Sequence, residues 1–318
     1  MIRHAFLSAA FLLLLSSPTS PVYGWGSATH AYIAHEIGSQ QGASDLKEIY
    51  GALLPDAFNV MFGDPYQSHL WTQTHYDFMK LVNSAASDVD RAVAYGFAGH
   101  NEAWGADRTA HISAIGAPEE GYVIRKQNEL AAIIEPQIRL FLLFSGVSDA
   151  SEIVDEVLPV VAHTAIETAI DLLVCENEAP DIGHRLVLAA RTRGWSAPIL
   201  LCKAYAADLA ATAGTTESVA APLIIAAESE FRHQMELYGT ALTQEDPIAS
   251  LAEQGAEVAR MLLAAEQGIV AAIPPDLMRQ ILDSATNLVK DDYATELAAT
   301  VSHVRNELEA RDIREAGL

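Results

Sequence analysis

The chain contains little cysteine and little positive charge. Of its 318 residues only Cys175 and Cys202 are cysteines, and 19 lysines and arginines stand against 42 aspartates and glutamates. Two thiolates cannot complete a cysteine zinc site, so any bound metal must be held by histidines and carboxylates. In an exported protein the two cysteines could form one disulfide, and the alternative is a pair of free thiols in helices.

The shortage of cations also limits the partners of the chain. The formal net charge is −23 at pH 7. Such a surface repels phosphate backbones, which argues against a nucleic-acid binder that works through basic patches and against binding to anionic membranes. A zwitterionic lipid or a small phosphoester stays compatible, because cations bound at a site reverse the local sign of the charge.

Long hydrophobic runs are scarce as well, and the clearest one lies at the start of the chain. Arg3 and His4 precede the apolar run AFLSAAFLLLLSS, which has the length of a signal-peptide core and is too short for a membrane-spanning helix. The pattern predicts cleavage after Gly24, so that the mature chain begins at Trp25 and is secreted or periplasmic. An uncleaved anchor and a different cleavage site are the alternatives.

Alternating strand patterns are missing, and most of the chain has apolar residues at helical spacing. The predicted helices cover residues 27–41, 43–54, 88–116, 121–144 and 150–176, followed by 186–213, 216–241, 247–271, 275–288 and 291–312. Residues 56–74 lack periodicity and are predicted as an ordered loop, and the helix 88–116 could break near Gly105. The expected fold is an all-α, multi-helix bundle with a metal cleft between helices.

Three segments describe the predicted organisation. Residues 1–24 are the leader, residues 25–185 form a helical domain with the chemical motifs, and residues 186–318 form an Ala-rich helical region that could pack in the same domain. Neither repeats nor a low-complexity linker separates them. The motifs therefore concentrate in the first half of the mature chain.

Histidines cluster in that half, and several have carboxylates at ligand spacing. His100, Asp107 and His111 are seven and four residues apart, which would place them within roughly 40° of one another on a continuous helix. His163 and Glu167 are four residues apart in an apolar stretch, where a carboxylate needs a partner or a metal. The ordinary alternative for each set is a buried histidine–carboxylate hydrogen bond.

Two more candidate ligands lie closer to the amino terminus. Asp56 follows Pro55 at the end of a predicted helix, where a turn or cap aspartate is the alternative interpretation. His75 lies among aromatic residues and could equally be a core or surface histidine, and His69 competes with it.

These motifs together resemble the zinc-dependent phospholipase C family, which is similar in fold to the fungal zinc nucleases that cut single strands. The family implies an all-helical, secreted enzyme with three zinc ions in a cleft. Its mature chain starts with a tryptophan whose free α-amine and carbonyl chelate one zinc. Trp25, Gly26 and His30 are similar to the start of the nuclease branch. Cleavage of the leader would then also create a ligand.

The resemblance covers roughly residues 25–172 and implies three zinc sites. The first site would be held by Asp56, His75, His100 and Asp107. The second site would be held by His111, His163 and Glu167. The third site would be held by the backbone of Trp25, by His30 and by a bridging Asp107. Nitrogen and oxygen ligands in this number suit zinc.

The central segment departs from the family pattern. Typical members have a histidine, an aspartate four residues later and a second histidine six residues after that. Here the acid follows His100 by seven residues, and Trp104 occupies the position four residues after it. Glu102, Asn101 and His35 are therefore kept as reserve candidates.

The function implied by the resemblance is zinc-dependent hydrolysis of a phospholipid or other small phosphoester, with peripheral membrane contact as an option. Asp56 would act as ligand and proton acceptor. Aromatic residues near the motifs are candidates for the cleft rim or for core packing: Phe58, Phe62, Tyr66, Trp71 and Trp104. The rival interpretations are a single-strand nuclease or nucleotidase, a phospholipase D-like phosphodiesterase, and a zinc-binding helical protein without turnover.

Overall fold

The computed structural model describes residues 24–61, 63–147, 150–267 and 273–315. Within these ranges the chain forms fourteen α-helices and no strand, which confirms the predicted all-α class. The predicted leader up to residue 23 and the candidate rim residue Phe62 lie outside the described residues.

Eight helices make up the first half of the described chain. They are α1 (Ser27–Ile37), α2 (Gly42–Leu53), α3 (Gln67–His75), α4 (Met79–Ser84), α5 (Asp88–His100), α6 (Ala106–His111), α7 (Tyr122–Phe144) and α8 (Ala150–Leu173). A 3₁₀ turn at Leu54–Phe58 extends α2, and a π-helical turn at Val174–Glu178 extends α8. The loop prediction for residues 56–74 was therefore wrong in part, because α3 fills its second half.

Six helices make up the second half. They are α9 (Ile182–Thr192), α10 (Ser196–Thr212), α11 (Glu217–Leu242), α12 (Pro247–Gln267), α13 (Pro275–Val289) and α14 (Tyr293–Ala310). The single helix predicted over residues 186–213 is two helices. Gly194 separates them with a φ of +67°, a left-handed conformation that glycine adopts at little cost.

Helices α2 and α5 cross closely because each presents a glycine at the contact. A Cβ atom on Gly51 would lie 2.1 Å from the carbonyl oxygen of Val93, and one on Gly96 would lie 1.9 Å from that of Glu48. A reciprocal capping box between Ser87 and Asp90 starts α5. The close crossing brings the carboxyl end of α5 against the end of α2, where candidate ligands lie.

The long helix predicted over residues 88–116 is interrupted. It ends at His100, and α6 begins at Ala106. The side-chain oxygen of Asn101 accepts the backbone N–H groups of Ala103 and Trp104, both at 2.9 Å, and thereby organises the connecting turn. The expectation that His100, Asp107 and His111 share one face of a continuous helix was wrong, although the alternative break near Gly105 is present.

One hydrophobic core runs from Trp25 to Leu308 and includes residues of both halves. Hydrogen bonds also cross the predicted boundary at residue 185. Thr300 Oγ1 donates to Thr109 Oγ1 at 2.9 Å, and the Glu296 carboxylate accepts the N–H of Gly116 at 2.9 Å. The carboxy-terminal helices therefore pack behind the segments that carry the candidate ligands.

Among the described residues, one helical segment, Ser151–Glu178, is long and apolar enough to cross a membrane. The bent pair Ser196–Thr212 and Glu217–Leu242 would count as another only if it formed a single span. The most apolar window of Ser151–Glu178 is 61% buried, as expected for a central helix of a bundle. This segment also carries His163 and Glu167.

Both cysteines are free thiols in the structure. Cys202 lies in α10 and Cys175 in the π-helical turn after α8, and each is partly exposed. Burial raises the pKa of both thiols, which lowers their reactivity at neutral pH. Of the two alternatives left open for this pair, the structure has the free thiols.

Candidate metal centre

Histidine and carboxylate side chains from six helical segments meet in the interior of the first half. The structure brings their potential ligand atoms within 4.8 Å of one another in overlapping groups of three. The first group contains His30, Asp56, His75, His100 and Asp107. The second group contains His111, His163 and Glu167. A third set, composed of Glu102, Asp107 and His111, lies between these two groups.

In the first group the nitrogens and oxygens are spaced like ligands of one tetrahedral ion. The Nε2 atoms of His75 and His100 lie 3.3 Å apart, and His100 Nε2 lies 2.9 Å from Asp107 Oδ2. Two nitrogens that each bind zinc at ~2.0–2.1 Å are about 3.3 Å apart in a tetrahedral site. Asp56 offers a further ligand to the same ion, because its Oδ1 lies 3.6 Å from His75 Nε2.

The rings of the first group are oriented by their outer nitrogens. His100 Nδ1 donates to the carbonyl oxygen of Ala52 at 2.7 Å, and His75 Nδ1 donates to that of Trp71 at 2.9 Å. A carbonyl oxygen can only accept, so these contacts keep a proton on Nδ1 and make Nε2 the nitrogen that faces the cluster. This tautomer control by an outer hydrogen bond is characteristic of metal-binding histidines.

The second group has the same arrangement. His163 Nδ1 contacts the side-chain oxygen of Gln127 at 2.7 Å, while its Nε2 lies 3.0 Å from Glu167 Oε1. His111 Nδ1 makes a very short contact with a carboxylate oxygen of Glu102, and its buried Nε2 makes no hydrogen bond among the described residues. The rings of His111 and His163 lie 5.5 Å apart. Both histidines thus direct Nε2 inward.

His30 and Asp107 form a further close pair within the first group. His30 Nε2 lies 3.0 Å from Asp107 Oδ1, and both residues are fully buried. Neither that nitrogen nor either Asp107 oxygen makes a hydrogen bond of acceptable geometry with the described residues. Buried polar atoms without hydrogen bonds are costly, and a cation between them would satisfy them.

A buried carboxylate on α8 holds the segment that carries His30. Asp171 accepts the backbone N–H of Ala28 at 2.8 Å and that of Thr29 at 2.7 Å, together with the Thr29 hydroxyl. It also accepts the Tyr238 hydroxyl at 2.8 Å. An acidic group at the amino terminus of a helix satisfies unpaired N–H groups and the helix dipole. Asp171 therefore fixes where α1 begins.

The backbone before α1 passes directly over Asp107. A Cβ atom on Gly24 would lie 1.6 Å from Asp107 Oδ1, so only glycine fits there. Trp25 follows with its indole Nε1 donating to the carbonyl of Ala106 at 3.1 Å and with its ring stacked on Tyr122. The structure thus brings the Trp25 backbone beside the carboxylate that lies closest to His30.

The electrostatics of the cluster favour an ionised Asp107 beside a protonated His100. Burial alone would raise the pKa of Asp107, but His100 and His30 outweigh it and hold that pKa well below its usual value. Burial would lower the pKa of His100, but Asp107 and Asp56 raise it to about 9. Burial raises the pKa of Glu167 to about 7 despite its pairing with His163. Without a metal, a proton on His100 balances Asp107.

The donor set fits a divalent metal of intermediate hardness. Imidazole nitrogens and carboxylate oxygens are the ligands that zinc takes in the absence of thiolates. The orphaned buried atoms of His30, Asp107 and His111 are aimed inward, as such ligands require. Several groups of side chains therefore lie at metal-binding distances in the protein.

Other predicted residues lie elsewhere or have other roles. His35 Nδ1 pairs with Asp45 at 2.7 Å, and His69 contacts Thr212, so neither joins a ligand group. Asn101 organises the turn after α5. Among the rim candidates, Phe58 is fully buried, and Trp104 is buried between Phe78 and Arg311, so both are packing residues.

Tyr66 and Trp71 are partly buried, and Trp71 stacks on His75 with ring centroids 4.3 Å apart. Sequence reasoning missed Tyr76, which is half exposed and close enough to Glu102 and Asp107 for both carboxylates to add to the effect of burial in raising its pKa. The sequence feature that could have identified Tyr76 is its position directly after the candidate ligand His75. No comparable local feature identifies Asp171.

No protein-family model, curated protein or solved structure matches this chain.

Proposed function

We propose that the protein is a secreted, zinc-dependent phosphoester hydrolase with phospholipase C-like activity. The observation that carries the proposal is the shared orientation of four histidines, His75, His100, His111 and His163. Each has its Nδ1 engaged with an oxygen, which leaves Nε2 as the nitrogen available to the rest of the ligand cluster. Bound zinc would supply Lewis-acid polarisation of phosphoryl oxygens and a water of near-neutral pKa.

Asp56 is the side chain that we assign to proton transfer. It is the most accessible carboxylate of the first group, with 16% of its side chain exposed. Asn59 donates to its Oδ1 at 2.8 Å and orients it. Burial would raise the pKa of Asp56, but His100 and His75 outweigh this effect and lower it. The carboxylate is therefore ionised at neutral pH and can accept a proton from an attacking water.

The exposed residues beside the ligands favour a substrate with an apolar part. Tyr76 directly follows His75 and is 50% exposed, and Ile112 directly follows His111 and is 41% exposed. Exposed apolar side chains next to a polar centre are characteristic of ligand-binding clefts. With the acidic net charge, they favour a zwitterionic phospholipid over a polyanionic nucleic acid.

The mature chain, with Trp25 as its first residue, is the right material for the test. We expect up to three zinc ions per chain by elemental analysis. In a substrate panel we expect hydrolysis of p-nitrophenyl phosphorylcholine and phosphatidylcholine vesicles, with diacylglycerol as the lipid product. The Asp56→Asn variant should lose on the order of 10²–10⁴ in kcat. His233→Asn, an exposed change on α11, should match the wild type.

The other outcomes separate the rival functions. Cleavage of single-stranded DNA without lipid hydrolysis would identify a nuclease, and release of phosphatidate would identify phospholipase D-like chemistry. Bound zinc without turnover on any ester would leave a metal-binding protein. Absence of bound metal after purification without chelator would end the proposal altogether.

A further inference from the structure

Glu102 is a buried acid in the turn between α5 and α6. Only 3% of it is exposed. Its backbone N–H donates to the carbonyl of His75 at 3.2 Å, and the Asn101 side chain fixes the backbone on its other side. The turn is thus anchored at two points, and the Glu102 side chain is held in the interior. A buried carboxylate is costly unless it is paired or binds a metal.

Among the residues that the structure describes, one of the two carboxylate oxygens has a partner. Oε1 contacts Nδ1 of His111, while Oε2 is buried and makes no hydrogen bond with any described residue. The His111 Nε2 is orphaned in the same way. Glu102, Asp107 and His111 offer ligand atoms that all lie within 4.8 Å of one another. Glu102 and His111 therefore each have a buried atom without a hydrogen bond to the described residues, and both belong to one candidate ligand set.

We propose that Glu102 is a direct metal ligand and that its position, shared with Asp107 and His111, joins the two ligand groups into one continuous cluster. Asp107 belongs to the first group through His30 and His100, and His111 belongs to the second through His163 and Glu167. A carboxylate that binds metal between the first and the second ligand group would connect the two groups. This inference rests on the proposed function in one respect, since it takes the groups to hold metal.

A positioning role for Glu102 makes a different prediction. If the carboxylate only orients His111, a glutamine at position 102 preserves the acceptor for His111 Nδ1, and metal binding changes little. If Oε2 binds the metal, glutamine removes the charged ligand, while alanine removes both contacts. The Glu102→Gln and Glu102→Ala variants together therefore separate the two roles.

The test measures metal binding directly. Wild type, Glu102→Gln and Glu102→Ala are stripped with chelator and titrated with Zn²⁺ in a metal-buffered solution, with elemental analysis of the bound ion. The same proteins are loaded with Co²⁺, whose visible absorption reports ligand number and type. Glu119→Gln, an exposed change seventeen positions along the chain, is the matched control. Circular dichroism of the stripped proteins checks folding.

We expect both Glu102 variants to bind one metal equivalent at least 100-fold more weakly than the wild type, with an altered Co²⁺ spectrum, and the control to be unchanged. Wild-type affinity and spectrum in Glu102→Gln would overturn the inference and leave the proposed function intact. A wild-type protein that binds no Zn²⁺ would overturn both. Should Glu102→Ala fail to fold, Glu102→Gln alone decides the result.

Discussion

The Nε2 atom of His100 lies 2.9 Å from Oδ2 of Asp107, and both side chains are completely buried. The two residues belong to different helices, α5 and α6, which meet at the turn around Glu102. A proton between them is the metal-free counterpart of a bound cation. The pair therefore links the stability of the protein both to pH and to metal.

The metal-free protein should lose stability as the pH rises through this region. The carboxylates outweigh burial and raise the pKa of His100 from 6.5 to about 9. A raised histidine pKa contributes stability that is complete below pH 6.5 and is lost as the pH rises toward 9. At about 1.4 kcal/mol for each pH unit the loss is on the order of 3 kcal/mol.

Urea unfolding of chelator-treated protein at pH 7 and 9 measures this loss. Glu167, whose pKa is about 7, finishes its own titration in the lower part of that range and adds a loss of the same sign, so the wild type must be compared with the His100→Asn variant. His100→Asn should flatten the dependence, and the exposed His233→Asn should keep it. Equal pH dependence in wild type and His100→Asn would contradict the role assigned to this pair.

Removal of metal should destabilise the protein markedly. A ligand at about 1,000 times its dissociation constant stabilises the folded state by ~4 kcal/mol. At ~2–4 °C per kcal/mol for a chain of this size, chelation should lower the melting temperature by on the order of 10 °C. Differential scanning calorimetry with and without EDTA checks this, with Zn²⁺ added back to restore the transition. A melting temperature that changes neither with EDTA nor with added Zn²⁺ would indicate that the histidines have a purely structural role.

The Asp171→Asn substitution should destabilise the start of α1. Asn keeps one acceptor oxygen but turns an N–H₂ group toward the Ala28 and Thr29 donors. We expect a loss of about 2–3 kcal/mol in the free energy of unfolding and weaker metal binding at His30. The exposed Asp155→Asn, on the same helix, is the control. Unchanged stability and metal content in Asp171→Asn would remove Asp171 as a positioning residue.

The two cysteines should behave as free thiols. The native protein should have the same melting temperature with and without reductant, because Cys175 and Cys202 are not bonded. After unfolding in guanidinium, Ellman's reagent should titrate both thiols, and the native protein should react slowly because burial raises their pKa. Fewer than two titratable thiols in the unreduced protein would indicate a disulfide.

Sequence patterns located most helices, because helical periodicity is a local property. The His163–Glu167 pairing was predictable for the same reason, since residues four apart on a helix are neighbours. The approach of His100 to Asp107 was expected from a continuous helix, yet it depends on a break in that helix. The turn at Asn101, and not the face of a continuous helix, brings His100 and Asp107 together.

Contacts between distant segments could not be predicted in this way. The closeness of Gly24 to Asp107 depends on how α1 docks, and the burial of Glu102 depends on its bond to the His75 carbonyl. Neither residue has a local pattern that distinguishes it from a surface or loop residue. The resemblance to the zinc enzymes supplied candidates such as Trp25 and His30, whose surroundings only the folded chain displays.

The bond between Asp171 and the start of α1 has a consequence for the order of folding. The residues that it joins are 143 positions apart, so forming it closes a long loop and costs more chain entropy than the local contacts within a helix. Trp25 and His30 should then be among the last residues to become ordered and among the first to open. Amide hydrogens of α1 should then exchange faster than those of α5, and native-state hydrogen exchange would measure this difference.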